Sequence, residues 1–139
     1  MPSTLAAGPD SNWGSYSEKE KNPDWDAAKR KIAAKDYGKA ILHLQKYITE
    51  NPKNADAYSY MGYALRNMEK PKESGVAYKK ALTINPKHLG ALEYQGQLYL
   101  KLGEVEKAKA NLAKLDSLCL FGCDEYTKLK NAIFTHNGK

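Results

Sequence analysis

The sequence predicts an all-α protein, built as a short solenoid of stacked helical hairpins. Three observations carry that expectation. Features recur at one period of 34 residues: Asn51-Pro52 returns as Asn85-Pro86, and Gly62 as Gly96. Each period holds two stretches with apolar residues at the i, i+3, i+4, i+7 spacing of one helix face. Small residues stand where two helix axes must approach closely, at Gly62, Gly96, Ala81 and Ala108. Units of this kind bury their apolar faces only against each other, so about three are needed for a continuous core.

The elements follow in order. Residues 1–22 are rich in Ser, Gly, Pro and Asn, show no period, and read as a flexible tail. Residues 23–54 read as the first repeat, with Trp25, Ala28, Ile32, Tyr37, Ala40 and Leu44 as its inward positions. The first half of this repeat fits the period only if its internal turn is one residue shorter. Residues 55–88 form the second repeat: Tyr58, Met61, Gly62, Leu65 and Met68 share one face, and Ala77, Tyr78, Ala81, Leu82 and Ile84 the next. Pro71 suits a first helical turn, where its missing N–H is not needed, while Pro52 and Pro86 follow helix ends. Residues 89–122 form the third repeat through Leu92, Gly96, Tyr99, Ala108 and Leu112. Residues 123–135 read as a capping helix with Tyr126, Leu129, Ala132 and Ile133 as its stripe, and 136–139 as a tail.

Composition narrows the class. Among 139 residues, 42% are hydrophobic and 27% charged, a globular balance. No run approaches the ~18 apolar residues of a membrane span. Lys and Arg number 22 against 16 acids, giving +6, but the excess is spread along the chain. A nucleic-acid binder shows a denser basic stripe, so nucleic acid is not the expected partner.

The pattern resembles the tetratricopeptide repeat family. That family's 34-residue helix–turn–helix unit has a small residue at its eighth position, Ala at the twentieth and twenty-seventh, and proline at the thirty-second. Gly62, Ala81 and Pro86 occupy such positions in the second repeat, with Ser74 in place of the usual Ala. The resemblance implies three repeats in a right-handed superhelix, with a concave groove lined by the first helix of each pair. It also implies a non-enzymatic module that binds a protein or peptide and needs no cofactor.

The implied groove positions are Asp56, Ser59, Tyr63, Arg66 and Asn67, then Glu93, Gln97 and Lys101, with Lys29 near the first repeat's contribution. One aromatic wall, a guanidinium able to grip a carboxylate, and several polar groups suit an extended or helical segment of some acidic character. Chaperone-tail receptors of the family carry a clamp of Lys, Asn, Asn, Lys and Arg. Trp25, Lys29, Tyr60, Gly90 and Tyr94 stand at those positions here, so that ligand is not implied. His43, His88 and His136 are scattered, and no catalytic motif appears. Self-association through the outer face or the tail is the alternative to partner binding.

Cys119 and Cys123 leave three readings open. They form a disulfide that staples the cap to the third repeat, they are two reduced half-buried thiols, or they handle a metal or electrons. The C-x3-C spacing is not the C-x2-C of zinc and thioredoxin-like sites. The segment resembles a C-terminal element of small exported bacterial repeat proteins. Together with Leu5-Ala6-Ala7, which is similar to the end of a signal-cleavage site, this gives the expectation of a periplasmic or otherwise exported chain, the alternative being cytoplasmic.

Overall fold

A computed structural model describes residues 22–137. The expectations for the N-terminal tail and for Leu5-Ala6-Ala7 lie outside the described residues, Asn22 apart. Seven helices follow one another, and no strand occurs among the described residues. They are α1 (Pro23–Ala33), α2 (Tyr37–Glu50), α3 (Ala55–Asn67), α4 (Pro71–Ile84), α5 (Leu89–Lys101), α6 (Val105–Leu118) and α7 (Asp124–Asn137). The capping helix thus runs two residues past the expected 135.

Local chemistry sets the boundaries. Asn22 Oδ1 accepts hydrogen bonds from the N–H groups of Asp24 (2.8 Å) and Trp25 (3.2 Å), and Pro23 opens α1. Asn54 caps α3 through the N–H of Ala57 at 3.1 Å. Pro71 begins α4, as its fixed φ favours. At α5 the cap is a histidine, whose Nδ1 accepts the N–H of Ala91 at 2.9 Å. Asp124 and Glu125 place negative charge at the start of α7.

The three helical hairpins share one turn. Lys35, Glu69 and Gly103 lie one repeat apart, and all adopt left-handed φ, of 62°, 60° and 78°. After each, an N–H reaches back five residues: Asp36 to Lys31 O, Lys70 to Leu65 O, Glu104 to Tyr99 O. This is the Schellman closure that satisfies otherwise orphaned helix-end carbonyls. It also corrects the expectation of a shortened first turn. The turn between α1 and α2 has the same three residues as the other two, and Ala28 is in direct register with Gly62 and Gly96. Trp25 and Ile32 still pack inward, against Ala28, Leu44 and Ala57.

The small positions are close-packed. A Cβ at Gly62 would lie 2.5 Å from the ring of Tyr78, which is fully buried. A Cβ at Gly96 would lie 2.6 Å from the end of Leu129, so α7 seats on α5 at this point. Ser74 uses its hydroxyl to donate to Gly62 O at 2.7 Å, which accounts for a serine where alanine is usual. The C-terminal core collects Leu92, Leu100, Ala108, Leu115, Leu129 and Ile133, with Tyr126 and Ala132 packed against it. The expected stripe of the capping helix is therefore its buried side.

Candidate functional groove

The first helices α3 and α5, together with α7, present one continuous face. Its floor is aromatic. Tyr63 on α3 meets Tyr94 on α5 at 4.9 Å between ring centroids, and Tyr37 at the start of α2 closes on Tyr63 at 6.1 Å. The Arg66 guanidinium lies over both rings, 5.4 Å from the Tyr63 centroid and 6.0 Å from that of Tyr94. Its Nε is shielded from solvent and has no hydrogen-bond partner among the described residues. Aromatic faces attract a guanidinium and leave its outer N–H groups to reach a ligand.

Beside Arg66 opens a cavity of about 720 Å³. Glu93, Gln97 and Lys101 of α5 line it, with Lys128, Asn131 and His136 of α7 opposite. Lys101 Nζ reaches Glu69 at 2.8 Å, an exposed pair of small energetic weight. Glu93 is buried and accepts from Gln97 Nε2 at 3.3 Å. Burial pushes its carboxyl above the usual range, against the opposing pull of Gln97, Lys128 and Arg66. Burial, and then the charge of Glu93, push the Tyr94 phenol up to about 12, so the floor stays neutral.

A smaller, more enclosed pocket of about 220 Å³ lies at the opposite ends of the same helices. Asp56, Ser59, His88, Gly90, Tyr94 and Glu125 line it with Tyr60. His88 Nε2 is within hydrogen-bond distance of Asp56 Oδ1. Because Nδ1 accepts the Ala91 N–H, the proton belongs on Nε2, which donates to Asp56.

The expected groove residues divide accordingly. Arg66, Glu93, Gln97 and Lys101 meet in the large cavity, and Asp56 and Ser59 in the small one. Tyr63 forms the floor near both. Lys29 stands apart, exposed over Trp25 with Nζ 5.4 Å from the ring centroid, and lines neither space. Asn67 turns back to donate to Tyr63 O at 2.9 Å. Sequence reasoning missed Tyr37, Tyr60, Tyr94, Lys128 and Glu125. Tyr60 and Tyr94 stood in view as failures of the chaperone-tail clamp, and that absence hid their use as walls. Among the described residues, no group of three or more His, Cys, Asp or Glu is arranged to hold a metal ion.

Known proteins supply the family. Tetratricopeptide repeat models match residues 55–88 and 77–110, the stretch in which the 34-residue period is most regular. The chain belongs to the tetratricopeptide repeat family. The repeat protein is 30% identical over 89 residues to mouse superkiller complex protein 3, and 29% identical to the human protein. That match takes in 64% of this chain but about 6% of the length of those relatives. Among solved structures, the TPR2B domain of yeast Sti1 in complex with pHsp70 superposes with TM-score 0.73 at 16% identity, covering 80% of this chain and 90% of that one. The first repeat domain of Spaghetti (RPAP3), bound to an HSP90 peptide, gives 0.70 at 17%, covering 82% and 90%. The Yersinia enterocolitica type III secretion translocator chaperone SycD gives 0.71 at 14%, covering 81% and 85%. At these identities the likeness is one of fold.

The two cysteines lie at the joint between α6 and α7. Their sulfur atoms are at disulfide distance, with Cα atoms 5.8 Å apart. Gly122 between them has φ of 90°, and Leu120 and Phe121 point into solvent. No described helix is long and apolar enough to cross a membrane.

Proposed function

We propose that this chain is a non-enzymatic peptide-binding module. It holds an acidic side chain or a terminal carboxylate of its partner in the large cavity of the groove. The observation that carries the reading is Arg66, held over Tyr63 and Tyr94 at the mouth of a cavity that Lys101 and Lys128 also line. A stacked guanidinium loses little further freedom when it forms a bidentate pair with a carboxylate. The aromatic floor offers the apolar stem of a peptide a surface to cover. Repeat domains of similar fold have been solved with HSP90 and HSP70 peptides bound, which supports peptide capture as the kind of activity. The residues of the chaperone-tail clamp are replaced here, so the peptide sequence differs.

The test is capture from the native extract by the wild-type chain and by Tyr63→Ala/Arg66→Ala, read by mass spectrometry. A partner lost only from the double variant supports the groove. A partner retained equally moves binding elsewhere.

Self-association is a second reading, favoured by apolar surface left open. Val76 is exposed beside a cavity of about 530 Å³ on the other face, lined by Ile48, Tyr58, Met61 and Leu65, and Phe121 is fully exposed at the cap. A monomer mass by light scattering at high concentration removes it. Export to an oxidising compartment such as the periplasm is also proposed, supported by the cysteine pair at bonding distance. Free thiols at both positions in the native protein would refute it.

A further inference from the structure

The small pocket at the opposite edge of the groove has chemistry the acidic-peptide reading leaves unused. We infer that it takes a cationic side chain, arginine or lysine, of the same bound peptide. Two carboxylates line it, Asp56 from the first turn of α3 and Glu125 from the first turn of α7, and no lysine or arginine does. Acids at helix starts are expected for the helices' own sake. The third group has no such explanation. Ser59 is 3% exposed, and its hydroxyl has no hydrogen-bond partner among the described residues. A buried hydroxyl lacking a partner is uncommon and marks a place where a donor belongs.

The space above that hydroxyl is kept by Gly90. A Cβ there would stand 3.9 Å from Ser59 Oγ and 3.2 Å from the His88 ring, narrowing the entrance. His88 brings no competing charge. With Nδ1 committed to the Ala91 N–H, it is a neutral ring donating to Asp56, whose second oxygen is left to a ligand. Tyr60 and Tyr94 are the aromatic walls, and burial raises both phenols above their usual range, so neither carries charge. Aromatic faces, two carboxylates and one hydroxyl acceptor are the set an organic cation needs. A metal ion is poorly served, since the described residues hold no three-ligand cluster.

The groove is then polarised along its helices. The ends of α5 and α7 beyond Arg66 are basic, and the beginnings of α3 and α7 are acidic. A partner carrying acid and base at a fixed separation is read in one orientation only. Specificity of this kind comes as much from rejecting the reversed peptide as from holding the correct one.

This inference rests on the reading that the groove binds a peptide, and one experiment separates the two. Random dodecapeptides displayed on phage are selected on the full chain. The expected result is enrichment of an arginine or lysine at fixed distance from an acid. The best peptide is then made with arginine and with neutral citrulline. Wild type should bind the citrulline form about tenfold more weakly. Asp56→Asn/Glu125→Gln, which keeps an acceptor for His88, should reduce that discrimination to about twofold. If the double variant melts early, Ser59→Ala serves, and should reduce the discrimination in part. Enrichment of acids alone, or equal discrimination in wild type and variants, overturns the pocket and leaves the groove standing. Failure to enrich any peptide overturns both.

Discussion

Gly62 and Gly96 occupy the same position in successive repeats, yet they solve different problems. At Gly62 the space is filled from within the repeat, by the ring of Tyr78 on α4. At Gly96 it is filled by Leu129, from the helix that caps the array. The first contact is between a glycine and a rigid, fully buried ring, and Ser74 ties the two helices beside it. The second is between a glycine and the flexible end of an aliphatic chain. Equal letters in a repeat therefore specify a need for room, and the neighbour decides what the room is for.

Leu129 should be the largest single test of the contrast. It is fully buried, and Leu129→Ala should cost about 4 kcal/mol, by urea unfolding, from lost burial plus the cavity left against α5. The glycines should then diverge. Gly62→Ala pushes a Cβ into an aromatic ring with nowhere to go, and about 3 kcal/mol is expected. Gly96→Ala meets methyl groups that can turn aside, and about 1 kcal/mol is expected. Equal losses at the two sites would break the comparison. Ser74→Ala should remove about 1 kcal/mol by deleting the hydrogen bond to Gly62 O.

Smaller effects sharpen the picture at its edges. Lys35 holds a left-handed φ that Gly103 holds without strain, so Lys35→Gly should raise stability by about 0.5 kcal/mol after glycine's extra chain entropy is offset. Glu93 gives the smallest shift and the only one with a pH signature. Its folded carboxyl titrates above the usual 4.5, so the folded chain keeps a proton the unfolded chain has lost. Stability contributed by this group therefore falls as pH rises from the ordinary value through the raised one. Glu93→Gln should raise Tm at about pH 7 and leave it unchanged near pH 3.5.

The array was legible in the sequence because its signals are local. The period, the small positions and the prolines all act within one repeat or between neighbours. The first turn was misjudged because Asp24 stands where Tyr58 and Leu92 stand in the later repeats, and Trp25 beside it invited a shift of register. The groove was half legible. Helical spacing places Tyr63 and Arg66 on one face, but not Tyr94 under the guanidinium, since that meeting depends on how one repeat is rotated against the next. Glu93 was expected at the groove and is there, but helical spacing does not show that it is buried, in a cavity that α7 also lines. Lys128 and Glu125 went unnoticed as site residues because the capping helix was read only for its apolar stripe.

No described helix makes extensive contact with one more than two places away along the chain. Opening such a chain does not require the whole to come apart at once. Amide hydrogen exchange should therefore grade along the molecule, slowest in α3 to α5 and faster toward α1 and α7. A closed Cys119–Cys123 link would make that gradient lopsided. The α6–α7 end would exchange more slowly under oxidising conditions than after reduction, while α1 would report the same rate in both.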